Sequence, residues 1–173
     1  MPRKTVITKE YILKKTKEYI IKYGANKLQA RSLATYMGCS TQPIFKNFKN
    51  MQDLQDTVKK NLIADYIKFK NNYVNEKNYL VGETFAYVLF AKRNPNVFKI
   101  IFGNDVSKIL GNDEIYSVIE KQYSINREKA EKSYKNVMMC IYGLSILLAD
   151  QSIKLSDNEI YHLINEAIKM NIK

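Results

Sequence analysis

Apolar residues recur at three- and four-residue spacing along most of the chain, the signature of amphipathic helices. Ile12, Thr16, Tyr19, Ile20 and Tyr23 mark one buried face of a first helix. Thr8 can cap it, Glu10 sits at the positive end of its dipole, and Gly24 stops it. A second helix covers Ala30 to Met37, with Leu33, Ala34 and Met37 inward. Gly38 is placed for a left-handed turn, and Ser40 for the N-cap of a third helix, Thr41 to Phe48. Pro43 fits only the first turn of that helix, while Ile44 and Phe48, four apart, point back into a small core. A fourth helix, Met51 to Val74, carries the stripe Leu54, Val58, Leu62, Tyr66 and Phe69. A polar loop around Asn75 to Asn78 precedes a fifth, from Tyr79 to Arg93, which Asn94-Pro95 ends. Pro95 starts a short sixth with Val97, Phe98, Ile101 and Phe102, and Gly103 to Gly111 is poorly patterned. The last three helices are expected at Asp113 to Tyr123, Asn126 to Ala149 and Ser156 to Met170, the ninth opening with a Ser156–Glu159 capping box. No strand alternation, Gly-rich phosphate loop or internal repeat stands out. The expected fold is all-α with about nine helices, an N-terminal three-helix domain at 1–50 and a larger helical domain at 51–173.

The segment from Gly24 to Leu54 sets a tight Gly-containing turn between two short helices and carries basic residues. That is the form of a helix-turn-helix, which sets its second helix into the major groove of DNA. Charge strengthens this reading. Residues 1–50 hold 11 Lys and Arg against 2 Asp and Glu, a balance of +9, out of +11 for the whole chain. An abundance of Lys alone would not strip acids from one third of the chain, and such a patch attracts phosphate backbones.

Composition excludes several classes. At 46% hydrophobic and 26% charged, the chain resembles a globular protein. No apolar run approaches the roughly 18 residues of a membrane span, and the first residues lack the apolar core of a signal peptide. A cytoplasmic location without membrane partners is therefore expected. With one histidine and two cysteines, Cys39 and Cys140, there is no zinc spacing and no catalytic Cys-His or Ser-His-Asp set. The expectation is no metal, no cofactor and no enzyme, with both cysteines as small packing residues.

The register of the N-terminal third resembles the TetR family of transcriptional regulators. The matching residues are Ile12-Leu13, Thr16, Tyr19-Ile20, Gly24, Leu33-Ala34, Gly38-Cys39-Ser40, Ile44-Phe45, Phe48 and Leu54, without insertion over residues 7–60. The stretch from Phe85 to Phe102 is similar to the family's helix five–six junction. The segment MMCIYGLSILLADQSIKLSDNEIYHLI is similar to its final helix pair. The chain departs from the family pattern at Phe45, where the recognition helix usually keeps Tyr, at Met51, where a Lys is usual, and at Gln29, where Thr or Ser caps helix two. Lys46 and Lys49 are candidates to replace the lost phosphate contacts.

Thr41, Gln42 and Pro43 occupy the N-terminal end of the recognition helix. Gln42 can pair bidentately with adenine, and Thr41 or Pro43 can pack on a thymine methyl. The alternative for Gln42 is a solvated turn residue. Lys4 lies in an N-terminal arm suited to the minor groove or to phosphate. The resemblance adds Arg31 on helix two. Gln29, Arg31, Phe45, Lys46 and Lys49 complete the expected DNA-facing set. A motif this small implies a two-fold dimer on a palindromic operator. Val137, Ile141, Leu144 and Leu148, with Ile160, Leu163, Ile164 and Ala167, are the expected dimer residues of a four-helix bundle, unless they pack only inside the subunit. The resemblance implies a ligand pocket in helices four to seven, where Tyr66, Phe69, Tyr73, Phe85, Phe90, Phe98, Phe102 and Tyr116 supply aromatic surface, although aromatic residues at helical spacing are more often plain core. It implies a repressor released from DNA by a ligand that prefers the non-binding state. An apolar or amphipathic compound would suit the tyrosine-rich lining. A DNA-binding protein without small-molecule input, whose C-terminal domain only dimerises or binds a protein, is the alternative.

Overall fold

A computed structural model describes residues 7–75, 78–103 and 111–172. Among the described residues there are nine α-helices and no strand: α1 (Lys9–Tyr23), α2 (Ala30–Met37), α3 (Gln42–Asn47), α4 (Met51–Lys70), α5 (Tyr79–Arg93), α6 (Pro95–Phe102), α7 (Asp113–Tyr123), α8 (Arg127–Ala149) and α9 (Asp157–Asn171). None of the helices among these residues is long and apolar enough to cross a membrane. Packing divides the chain between Ala64 and Asp65, within α4 rather than at its start.

Most helix ends follow the chemistry of the sequence. Thr8 Oγ1 accepts the Tyr11 N–H at 3.2 Å, and Gly24 ends α1 at φ 84°. Asn112, Asn126 and Ser156 each accept an N–H from the first turn of α7, α8 and α9. The Ser156–Glu159 box closes with the Ser156 N–H on Glu159 Oε2 at 2.7 Å. Helix four is shorter than expected. It stops at Lys70, and Asn72 Nδ2 donates to the carbonyls of Lys68 and Phe69, a side-chain competition for the backbone that favours a turn over further helix. A short 3-10 turn, Ala25–Lys27, fills the α1–α2 connection, and the Tyr19 hydroxyl pins it by donating to the Lys27 carbonyl at 3.1 Å.

In the N-terminal unit Ile12, Leu33, Ile44, Phe48, Leu54 and Val58 are buried, and Thr16 is buried with its hydroxyl on the Ile12 carbonyl. Tyr23 departs from the expected buried face. It is 38% exposed, its ring 4.9 Å from Tyr19 and 6.1 Å from Tyr36 at the surface. In the C-terminal unit α5 packs against α6, α8 and α9. Its residues from Ala86 to Ala91 are all buried, so it is apolar all round, as the central helix of a bundle must be. Lys92 and Arg93 at its end bind Asp157 at the start of α9, each at 2.7 Å. Ser133 Oγ donates to the Asn171 carbonyl at 2.8 Å and fastens α8 to the end of α9.

Candidate functional site

The turn between α2 and α3 is built by glycine. Gly38 adopts φ 68° and ψ 34°, a conformation that costs a side-chain-bearing residue free energy. The N–H groups of Gly38 and Cys39 then close on the carbonyls of Thr35 and Ala34. Helix α3 does not use Ser40 as its cap. Thr41 precedes the first turn, without a side-chain cap, and its carbonyl accepts the Ile44 N–H at 3.1 Å. Pro43 sits in the first turn, where its missing N–H costs nothing. At the start of α2, capping is provided from inside the helix. Ser32 Oγ accepts the Gln29 N–H at 3.1 Å, which explains how Gln29 is tolerated there.

Helix α3 has two distinct faces. Ile44 and Phe48 are 0% and 2% exposed and hold it to the unit's core. Gln42, Phe45 and Lys46 are exposed at the i, i+3, i+4 spacing of one helical face, and Lys49, beyond the helix end and the extended Phe48, is exposed too. Phe45 is 50% exposed, an aromatic ring left in water between two cationic side chains and an amide. Gln29 and Arg31 are exposed, while Thr41 and Pro43 are half-buried. Lys4 lies outside the described residues. Beyond α3 the chain turns at Lys49 and Asn50. Asn50 Oδ1 accepts the Asp53 N–H at 2.9 Å and Asp53 accepts the Lys49 N–H at 3.0 Å. This exchange fixes the entry into α4 with Met51 in place of a cation.

The aromatic residues of the C-terminal unit form a chain of ring contacts. It runs from Phe85 to Tyr73 (5.8 Å), Phe69 (5.1 Å), Phe90 (5.5 Å), Tyr66 (4.9 Å), Phe102 (5.0 Å) and Phe98 (5.2 Å). Tyr116 is apart from it, 5.9 Å from Tyr134 and under the Arg127 guanidinium. Pattern reading alone did not single out Tyr87, Tyr134 or Glu83. Tyr87 is 4% exposed and lies 4.7 Å from Phe102 and 5.1 Å from Phe98. Glu83, one turn earlier on α5, binds Lys70 Nζ through Oε1 at 3.1 Å, while its Oε2 is buried without a hydrogen-bond partner. The Tyr87 hydroxyl is likewise buried without a partner. Burial holds the Tyr66, Tyr79 and Tyr134 hydroxyls above the ordinary tyrosine pKa, and the Glu83 charge, together with a hydrogen bond to it at Tyr79, adds to the effect. The signal that could have found Glu83 is a lone acid in the otherwise apolar run of α5.

The expected dimer residues are mostly spent inside the subunit. Val137, Ile141, Leu148, Ile160 and Ile164 are all 5% exposed or less, because α8 and α9 use these positions to pack on each other and on α5. Leu144 and Ala167 are half-buried, and Leu163 is 42% exposed. The apolar positions left open on α8 are Met139 and Leu147, 64% and 46% exposed, with Cys140 and Gly143 exposed between them. This stripe is centred roughly 125° around the helix from the face of Val137, Ile141 and Leu148. Cys140 is therefore a surface residue, not the packing residue expected; Cys39 is half-buried. Nothing lies within 4 Å of where a Cβ on Gly143 would stand. On α9 the open apolar positions are Tyr161, Leu163 and Met170.

No protein-family model matches the chain, and no curated protein matches it at significant similarity.

Proposed function

We propose that the chain is a dimeric DNA-binding transcriptional regulator of the TetR type, a repressor released from its operator by a small molecule. The observation that carries the reading is the two-faced helix α3. Ile44 and Phe48 anchor it behind a glycine turn, and it presents Gln42, Phe45 and Lys46 outward, with Lys49 exposed just past its end, in the basic third of the chain. In this reading Gln42 reads adenine, Phe45 covers a thymine methyl or a sugar, and Lys46 and Lys49 neutralise phosphate. Phe45 then has the role of an apolar contact, which needs no hydroxyl. The open stripes of α8 and α9 supply the two-fold contact, with Met139, Leu147, Leu163 and Met170 in place of the residues buried within the subunit. Gly143 allows the two copies of α8 to approach closely.

The test is fluorescence anisotropy at moderate salt with labelled duplexes, one from the DNA upstream of the protein's own gene and one of random sequence. The expected result is a clear preference for the upstream duplex. In a Gln42→Ala/Lys46→Ala double variant that preference should vanish while the circular dichroism spectrum and the dimer persist. Equal affinity for both duplexes, or unchanged affinity in the variant, would remove the assignment.

A further inference from the structure

We propose that the DNA-facing surface extends onto α1, where Lys9 holds a backbone phosphate beside the recognition helix. The assignment rests on the DNA-binding reading above and adds a contact to it. Lys9 is the first residue of α1, far from α3 in sequence, yet its ammonium lies 5.2 Å from the centre of the Phe48 ring. Phe48 is the buried residue on which α3 ends, and Lys46 and Lys49 stand on either side of it in the chain. The fold thus brings a third cationic side chain to the end of the outward face. Lys9, Lys46 and Lys49 are all exposed, and none of the three forms an ion pair with a described residue. Residues 1–50 hold 11 Lys and Arg and only two acids, both already engaged. Glu18 is paired with Lys15 at 2.7 Å. Glu10 is held below the usual carboxylate range first by its own N–H, then by the Thr8 hydroxyl, with the Lys9 charge last. Asp53, just past this segment, accepts the Lys49 N–H at 3.0 Å. An ammonium only donates, so in this basic setting the group that completes Lys9 is an anionic acceptor. Contact with the ring face also orders the Lys9 stem before that group arrives, which lowers the rotamer entropy lost on binding. A helix seated in the major groove runs between two phosphate strands, so cations at its end and beside it meet phosphate oxygens.

The experiment is fluorescence anisotropy of the full-length chain on the upstream and random duplexes over a series of salt concentrations, with Lys9→Met, Lys9→Gln and Lys9→Arg. Met keeps an apolar stem over the Phe48 ring and removes the charge. In Lys9→Met and Lys9→Gln the plot of log affinity against log salt should flatten by about 0.9 per bound subunit, the share of one phosphate, on both duplexes alike. The preference for the upstream duplex should therefore stay as in the parent, in contrast to the Gln42→Ala/Lys46→Ala variant. Lys9→Arg should keep the parent slope. Thermal unfolding followed by circular dichroism should show all three variants melting with the parent. A parent slope in both Lys9→Met and Lys9→Gln would overturn the contact; with a lowered melting temperature, it would leave Lys9 as no more than a cover for Phe48. Weakening confined to the upstream duplex would overturn it as well, since a phosphate contact is blind to sequence. So would a flattened slope in Lys9→Arg. A parent that prefers the upstream duplex with a slope independent of Lys9 leaves the DNA-binding reading standing without this contact, whereas a parent that binds neither duplex removes both.

Discussion

Ile44 and Phe45 are adjacent in sequence and lie on opposite faces of α3, so alanine at each position separates folding from recognition. Ile44 is fully buried. Truncating it removes packed methylene groups and leaves a cavity, at a cost of about 3 kcal/mol. With a denaturant slope of about 2 kcal/mol per molar, the urea midpoint of the N-terminal unit should fall by roughly 1.5 M. Phe45 is already half in water. Alanine there loses little packing and gains helix propensity, so the midpoint should stay within about 0.3 M. Full burial of a Phe side chain stabilises by about 1.5–3 kcal/mol; closing DNA over the exposed half is worth about 1 kcal/mol per subunit. Two subunits make about 2 kcal/mol, or roughly thirtyfold in affinity. The assays are urea unfolding followed by circular dichroism and anisotropy on the upstream duplex. A Phe45→Ala protein that unfolds with Ile44→Ala, or one that binds DNA as tightly as the parent, would refute the division of faces.

Leu147→Glu should convert the dimer to monomer in sedimentation velocity, because it sets a charge in the centre of the open α8 stripe while leaving the subunit core untouched. Gly143→Ala should stabilise the isolated helix by about 0.5–1 kcal/mol yet weaken the dimer, since nothing within the subunit requires glycine there; a tighter dimer would exclude close approach of the helices. Asp157 is held below its ordinary value of 3.8, first by its hydrogen bond from Lys92 and then by Arg93. Its folded pKa is depressed, so its contribution is present above that ordinary value and fades as the pH falls through the folded one. Because the group is 43% exposed, that contribution is at most about 1 kcal/mol. Asp157→Asn should therefore lower the melting temperature slightly at pH 7, by an amount that shrinks as the pH falls below that ordinary value, as read by calorimetry. Lys46→Ala should flatten the dependence of DNA affinity on salt by about one counterion per subunit, measured as the slope of log affinity against log salt concentration.

Helix positions were legible because each rests on local chemistry that spacing reveals. Asp113 and Tyr123 bound α7 as expected, and the caps at Thr8 and Ser156 are read from short-range residue types. Two local features escaped. Asn72 ends α4 by competing for its carbonyls, and Ser32 caps α2 from within; in both, the residue that acts is not the one whose position suggests it. Tertiary choices were less legible. Helices α8 and α9 each carry apolar residues on more than one face, and periodicity does not say which face meets the subunit's own core. The aromatic chain through Tyr66, Phe90 and Phe102 was visible as residue types, whereas Glu83 was not read as a buried group. Its burial follows from α5 lying at the centre of its unit, a fact of packing that no local window contains.

The division inside α4 bears on how this protein could be recombined with others. A cut at residue 50, the end of the recognition segment by its motif, would discard Leu54, Val58 and Leu62, three buried side chains of the N-terminal unit. A DNA-reading module transplanted with that end would lose part of its own interior and fold poorly. The transferable module ends near Ala64, four helical turns further on, so a chimera made to exchange specificities must carry the first part of α4 with the reading head.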